Sequence, residues 1–269
     1  MKNKLTNNIG LKFAAVLFAA LVSVLGFTSC LDSEGTSNYP QFQAAVTITG
    51  DALTGYTFLC DAGENIKLRP TTASASQLKL DGVKRAVMAF DLTEEQANVT
   101  QLQPNTTYTI VVNAAYSYGI PTYTMAVDTL SSQYQSAGND SIAVKGKQIA
   151  SADANSFYVK NGYMTFYPRF NYGTSPLYFG LYYDGEKDVD AANGSLNMNL
   201  YFNNSVDGSY AMSSAASVIS MKMPVELYSK FMQSGKDSID VTLNLNASTN
   251  QSPLKCRMAV SDFMTPMAY

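Results

Sequence analysis

Asp184, Glu186, Asp188 and Asp190 put four carboxylates into the run Asp184-Gly185-Glu186-Lys187-Asp188-Val189-Asp190, the densest acidic cluster of the chain. Oxygen-rich loops of this kind can bind Ca²⁺. The spacing departs from an EF-hand loop and Lys187 sits inside it, so a solvated hairpin turn is the favoured reading and no metal is assigned. Glycoside hydrolysis needs two acids held at a defined separation across a cleft; the acids here gather in turns. Histidine is absent from all 269 residues. That removes Ser-His-Asp and Cys-His catalysis, histidine base work and nearly all zinc and iron sites. There is no nucleophile elbow, P-loop or dinucleotide fingerprint. The expectation is a protein that is not an enzyme and takes no cofactor.

Of the three cysteines, Cys30 has the most telling context. Lys2, Lys4 and Lys12 form a positive start, Phe13 to Phe27 is an uncharged apolar run, and Thr28-Ser29 supplies small residues before the thiol. This is the pattern of a secretion signal over residues 1–29, too short for a comfortable transmembrane helix of about 20 residues. It resembles a lipobox, with Phe27 where Leu is usual and Thr28-Ser29 in place of Ala-Gly, which makes Cys30 the expected lipidation site. Leu31-Asp32-Ser33-Glu34-Gly35 opens an acidic tether over residues 30–40 and resembles a surface-export signal. The expected location is the outer membrane, through a lipid anchor, facing the cell exterior. Cys60 and Cys256 show no disulfide framework and read as buried free thiols; a bridge closing so long a loop stays open, because its geometry is not readable from sequence.

Loss of the three signal-peptide lysines moves the formal charge from −3 to −6. A mildly acidic chain without basic clusters argues against nucleic acid as a partner. Tryptophan is absent, while tyrosine reaches 18 residues and suits β-sheet. Short alternating runs fill residues 41–128: Val46 and Ile48; Tyr56 and Phe58 before the turn Asp61-Ala62-Gly63; Ile66 and Leu68 before Pro70; Val87 to Phe90, apolar on both faces; Tyr108, Ile110, Val112 and Ala114; then Met125 and Val127. Such spacing predicts a small barrel or sandwich. Residues 129–140 lose all apolar period and read as a linker. In residues 141–269 alternation is stricter. Met164, Phe166 and Phe170 oppose Tyr163, Thr165 and Tyr167; Leu196, Met198, Leu200 and Phe202 oppose asparagines; Ile239, Val241, Leu243 and Leu245 oppose polar residues. One packed and one wet face predict an antiparallel β-sandwich. One short helix is expected from Pro224 to Gly235, burying Leu227 and Phe231.

The order of parts resembles the NigD-like lipoproteins of Bacteroidota. Gly55-Tyr56-Thr57-Phe58 leads to Asp61-Ala62-Gly63, then Leu68-Arg69-Pro70, with Arg85 introducing the strand Ala86 to Phe90. These resemble that family's OB-type N-terminal domain. Asn161-Gly162-Tyr163-Met164-Thr165-Phe166 and the strands Leu177 to Asp184 and Leu196 to Phe202 resemble its C-terminal sandwich. Relatives carry a histidine stretch after the last of these; Tyr201-Phe202-Asn203-Asn204 stands here, so no role is carried over. The resemblance implies an all-β fold, an OB-like barrel followed by the sandwich, and a link to bacteriocin immunity.

Three further features concern the surface. Asp128-Thr129-Leu130, Asp140-Ser141-Ile142 and Asp237-Ser238-Ile239 resemble the O-glycosylation acceptor motif of Bacteroidota, which makes Thr129, Ser141 and Ser238 candidates. Tyr163, Tyr167 and Tyr201 fall on the expected wet face and could form an adhesive surface, although exposed strand tyrosines are commonly just that. The leading expectation is a non-enzymatic binding or immunity-type lipoprotein that captures a peptide, toxin or neighbouring protein on a barrel or sheet edge. The competing classes are a fimbrial accessory or adhesin subunit and a glycan-binding surface lipoprotein.

Overall fold

The computed structural model describes residues 40–266, apart from 79, 81, 124–125, 139–148, 150, 173–177, 204–212 and 246–250. Its internal contacts divide the chain into two units, one running to Ile120 and one spanning Pro121–Pro266.

Five strands close the barrel of the first unit, β1 (Phe42–Asp51), β2 (Gly55–Cys60), β3 (Lys67–Pro70), β4 (Arg85–Leu92) and β5 (Thr107–Val112), and the short strand Tyr118–Gly119 adds to β4. Their order is β1-β2-β3-β5-β4, and β4 pairs back onto β1, so the sheet closes on itself. Only β3 and β5 run parallel. This is an OB-like barrel. The alternation explains the closure. Val46, Phe58, Leu68, Phe90 and Ile110 point inward and are fully buried, each worth about 1.5–3 kcal/mol relative to exposure. In β4 the outward residues Val87 and Ala89 are buried as well, which accounts for its unbroken apolar run. The link between β4 and β5 carries one 3-10 turn, Glu94–Gln96.

The β1–β2 hairpin depends on glycine. Gly50 has φ +77°, and a Cβ there would lie 2.0 Å from the Gly55 carbonyl oxygen. Asp51 then builds the tip. Its Oδ1 accepts from the Leu53 and Thr54 backbone N–H groups at 2.8 and 2.7 Å and from Thr54 Oγ1 at 2.9 Å. These bonds, those from Thr54 first, hold the Asp51 carboxyl below its ordinary pKa. The tip is therefore held through the neutral range and gives way only as acid protonates Asp51.

The second unit is a β-sandwich. Its large sheet has the order Leu254–Ala259, Ser238–Leu245, Ser195–Asn203, Tyr178–Tyr183, Val127–Asp128. Smaller sheets are centred on Tyr163–Phe166 with Ile219–Lys222 and on Pro168–Tyr172. All contribute to one core that includes Met164, Phe166, Phe202, Val241 and Phe231. The sandwich is not antiparallel throughout. Ser195–Asn203 runs parallel to Ser238–Leu245, with Leu196 opposite Val241. Parallel neighbours need a crossover, and here it passes through Ser213–Ala216, Ile219–Lys222 and the expected helix, Glu226–Gln233, which buries Leu227 and Phe231.

Among the described residues two shorter helices accompany it, Thr72–Ala75 and Ser132–Ala137. The latter falls in the polar stretch without an apolar period. Ser131 caps it, accepting from the Tyr134 N–H at 3.3 Å, and the Tyr134 ring meets Tyr182 edge-on at 5.5 Å. One aromatic anchor thus holds a turn of helix that periodicity does not reveal. Val127–Asp128 just before it pairs with Tyr182–Tyr183 in the sandwich sheet.

Candidate functional site

The acidic run does not converge on a common point. Asp184 Oδ1 accepts from the Glu186 and Lys187 N–H groups at 3.0 Å each. Asp188 Oδ2 accepts from the Asp184 N–H at 2.9 Å, and Asp190 takes the Asn193 backbone and side-chain N–H groups at 3.0 and 2.7 Å. The bonds from the Glu186 and Lys187 backbone hold Asp184 below its ordinary pKa. Each of these three carboxylates therefore serves its own turn, and among the described residues no group of three or more His, Cys, Asp or Glu side chains is placed to hold a metal.

Cys30 and Ser141 lie outside the described residues. Thr129 is half-buried in a turn: its N–H donates to the Tyr183 carbonyl at 2.8 Å, its carbonyl accepts from Gln135 Nε2 at 2.8 Å, and the preceding Asp128 accepts from Leu130 N–H at 2.9 Å. Ser238 opens a sandwich strand, where its Oγ accepts from Arg257 Nε at 3.1 Å.

Tyr163 and Tyr167 correct the sequence reading. Both are buried, as is Thr165 between them. Tyr163–Phe166 is an inner strand, flanked by Tyr158–Lys160 and Ile219–Lys222, and both of its faces are covered. Thr165 and Ser220 satisfy each other there at 2.9 Å. Only Tyr201 keeps a half-exposed position on an outer face.

Cys60 is buried and Cys256 half-buried, and both are free thiols. Burial pushes each up to about 12. Neither is a nucleophile near neutral pH, since only the thiolate attacks. Native protein at pH 8 is expected to leave both thiols unmodified by a disulfide reagent over minutes, with two equivalents appearing on denaturation of the Cys30→Ala variant. Prompt native labelling of either would contradict this packing.

The barrel offers two features that sequence reasoning missed. On its outer side, Arg85 pairs bidentately with Asp61, and Nη1 also donates to Thr47 Oγ1 at 2.7 Å. Arg85 is 0% exposed. This cluster ties β4, β1 and the end of β2 together and has no open side for a ligand. Elsewhere the outer side stays open. Thr107, Thr109 and Val111 of β5 are exposed, with Val111 at 45%. Arg69 is their exposed neighbour on β3, paired with Thr109. Val111, Thr109, Leu92, Thr93, Glu94 and Glu95 line a groove of about 530 Å³. At the hairpin tip Leu53 is 97% exposed. The first strand-connecting loop and the loop between the fourth and fifth strands are where OB-type barrels commonly take ligands; Leu53 and the Glu94–Glu95 rim occupy those two loops.

A closed OB-like barrel joined to a β-sandwich, with an open barrel flank and unactivated thiols, defines the class of this protein by its fold. No protein-family model and no curated protein matches the chain. Several solved structures do. A Parabacteroides distasonis protein described as toxin-related is similar at 18% identity, over 82% of this chain and 94% of its own, with a TM-score of 0.54. A Bacteroides fragilis protein described as a lipoprotein is similar at 12% identity, over 81% of this chain and 97% of its own, with a TM-score of 0.50. A NigD-like immunity protein of Bacteroides caccae is similar at 15% identity, over 83% and 99%, with a TM-score of 0.45. The first two establish a shared fold across most of the chain.

Proposed function

We propose that this chain is a lipid-anchored, non-enzymatic binding protein of the bacterial outer membrane, with an immunity-type role in which the barrel captures a polypeptide. The observation that carries the reading is the hairpin tip. Asp51 spends four hydrogen bonds to fix a turn whose one large side chain, Leu53, stands almost wholly in water. A single exposed leucine is unremarkable; a rigidly presented one in a ligand loop of this fold is an anchor with its ordering cost already met. β1 adds position. The tether enters at Phe42 and the tip follows Asp51, so about 30 Å of strand separates Leu53 from the anchored end. A tip at the far end of β1 from the tether suits a partner beyond the membrane surface better than the lipid. The groove at Val111, with Glu94 and Glu95 on its rim, supplies further apolar and acidic contact. The likeness in fold to proteins described as toxin-related and as a lipoprotein supports the same reading.

A photo-crosslinking amino acid at position 53 tests it in the producing cells. Discrete adducts from position 53 and none from Lys255, on the outer strand of the sandwich, are expected. Leu53→Asp is expected to weaken capture of the cross-linked partner about 30-fold, the range of a true interface anchor. Absence of adducts from both 53 and 111 in correctly anchored protein would sink the reading.

A further inference from the structure

The groove on the barrel's outer side has a charge pattern that selects its occupant, an inference that rests on the reading of the barrel as a polypeptide binder. β4 and β5 part company at Leu92 and Ile110. Beyond that point the turn after β4 takes up the free backbone of Thr109. The Thr109 carbonyl accepts from the Thr93 N–H at 3.3 Å, and its N–H donates to Gln96 Oε1 at 3.0 Å. The Gln96 N–H closes the turn on the Thr93 carbonyl at 2.8 Å. Glu94 and Glu95, both exposed, are thereby held against the flank of β5. In the groove of about 530 Å³, Leu92 and Val111 are the apolar lining, Thr93 and Thr109 the hydroxyl sides, and the two glutamates the rim.

Neither glutamate is spent inside the chain. Among the described residues neither carboxylate has an ion pair or accepts a hydrogen bond. A third carboxylate, Asp91, is the ladder partner of Val111 and accepts from the Gln41 N–H at 2.6 Å. The cations of the neighbouring strand, Lys67 and Arg69, stand on the far side of β5 opposite Thr107 and Thr109. Neither lines the groove, and Arg69 is already engaged within the chain. Adjacent like charges favour a cation brought to them, and an anionic partner such as a nucleic acid or a phospholipid headgroup is repelled. A long basic side chain fits both parts of the groove: its methylene stem lies on apolar surface while its charged head stays in water at the rim. We propose that this groove takes a lysine or arginine side chain from a basic segment of the captured polypeptide.

Fluorescence anisotropy with the detergent-solubilised full chain tests it, using labelled short peptides that repeat Lys-Leu-Gly, Gln-Leu-Gly or Glu-Leu-Gly. The lysine peptide is expected to bind about tenfold tighter than the other two and to lose affinity as salt rises. Glu94→Gln combined with Glu95→Gln is expected to weaken it about tenfold. Thr109→Lys puts a cation of the chain's own into the groove; it is expected to do the same, and keeps the test valid if the double variant misfolds. Glu186→Gln with Asp237→Asn removes the same charge from exposed positions of the second unit and is expected to leave the affinity unchanged. No binding of the lysine peptide, equal binding of the glutamine peptide, binding that survives both groove changes, or an equal loss in the second-unit variant overturns the proposal. Cross-linking from position 53 reports polypeptide capture separately. Adducts there, together with a lysine peptide indifferent to Glu94 and Glu95, leave capture standing and remove only the basic contact.

Discussion

Asp61→Asn is expected to destabilise the barrel by about 3–5 kcal/mol, because it leaves the wholly buried Arg85 guanidinium without its counter-charge. Against a total stability of about 5–15 kcal/mol for a domain, that is enough to unfold a substantial share of molecules at 37 °C. Arg85→Met is expected to fall in the same range, since it strands a carboxylate that is only 6% exposed. Thr47→Val removes one hydrogen bond and is expected to cost about 1 kcal/mol. The diagnostic variant is the double, Arg85→Met with Asp61→Leu. Both charges then leave together, and apolar replacement of a buried pair is neutral or stabilising in other proteins. Urea unfolding of the barrel transition should show the double recovering most of what either single loses. Additive losses would mean that Arg85 acts through something other than Asp61. The cluster's position gives it this weight: Thr47 and Arg85 are ladder partners across β1 and β4, and Asp61 follows directly on β2. Three strands of a closed sheet meet at one cation.

That cluster was half legible. Arg85 and the turn at Asp61 are conspicuous in the sequence, but they lie 24 residues apart, and only the registers of β1 with β2 and with β4 bring them together. Alternation reads faces, not partners. It placed Leu196, Met198, Leu200 and Phe202 in the core correctly, because Asn197, Asn199 and Tyr201 opposite them do meet water. It said nothing of strand direction, so the parallel pairing of Ser195–Asn203 with Ser238–Leu245 was invisible. It misplaced Tyr163 and Tyr167 because tyrosine and threonine suit a wet face and a covered one equally well: the ring packs and the hydroxyl finds a partner. The helix at Glu226–Gln233 was legible for the opposite reason. Leu227 and Phe231 one turn apart, with Gly235 behind them, admit few other readings.

Cys30→Ala is expected to move the protein from the membrane fraction to the soluble one, or to leave it uncleaved with residues 1–29 attached; either outcome comes with complete loss of metabolically incorporated fatty acid. The effect is all-or-none for a physical reason. Each buried CH₂ contributes about 0.8 kcal/mol, so one acyl chain holds a protein reversibly while two or more hold it stably. Among the described residues no helix is long and apolar enough to cross a membrane, and a chain cut before Cys30 would carry a formal charge of −6, which an anionic surface repels. Protease added to intact cells then decides the face. Digestion of wild type with the outer membrane intact places the Leu53 tip outside, where an incoming toxin is a natural ligand. Protection places it in the periplasm, and the partner is then a resident or transiting polypeptide. Residues 31–40 would reach at most about 35 Å, so a barrel anchored through Cys30 would work close to the bilayer on either face. If Cys30→Ala stays membrane-bound without fatty acid after residues 1–29 have been removed, a different anchor exists, and the orientation argument for Leu53 falls with the lipid.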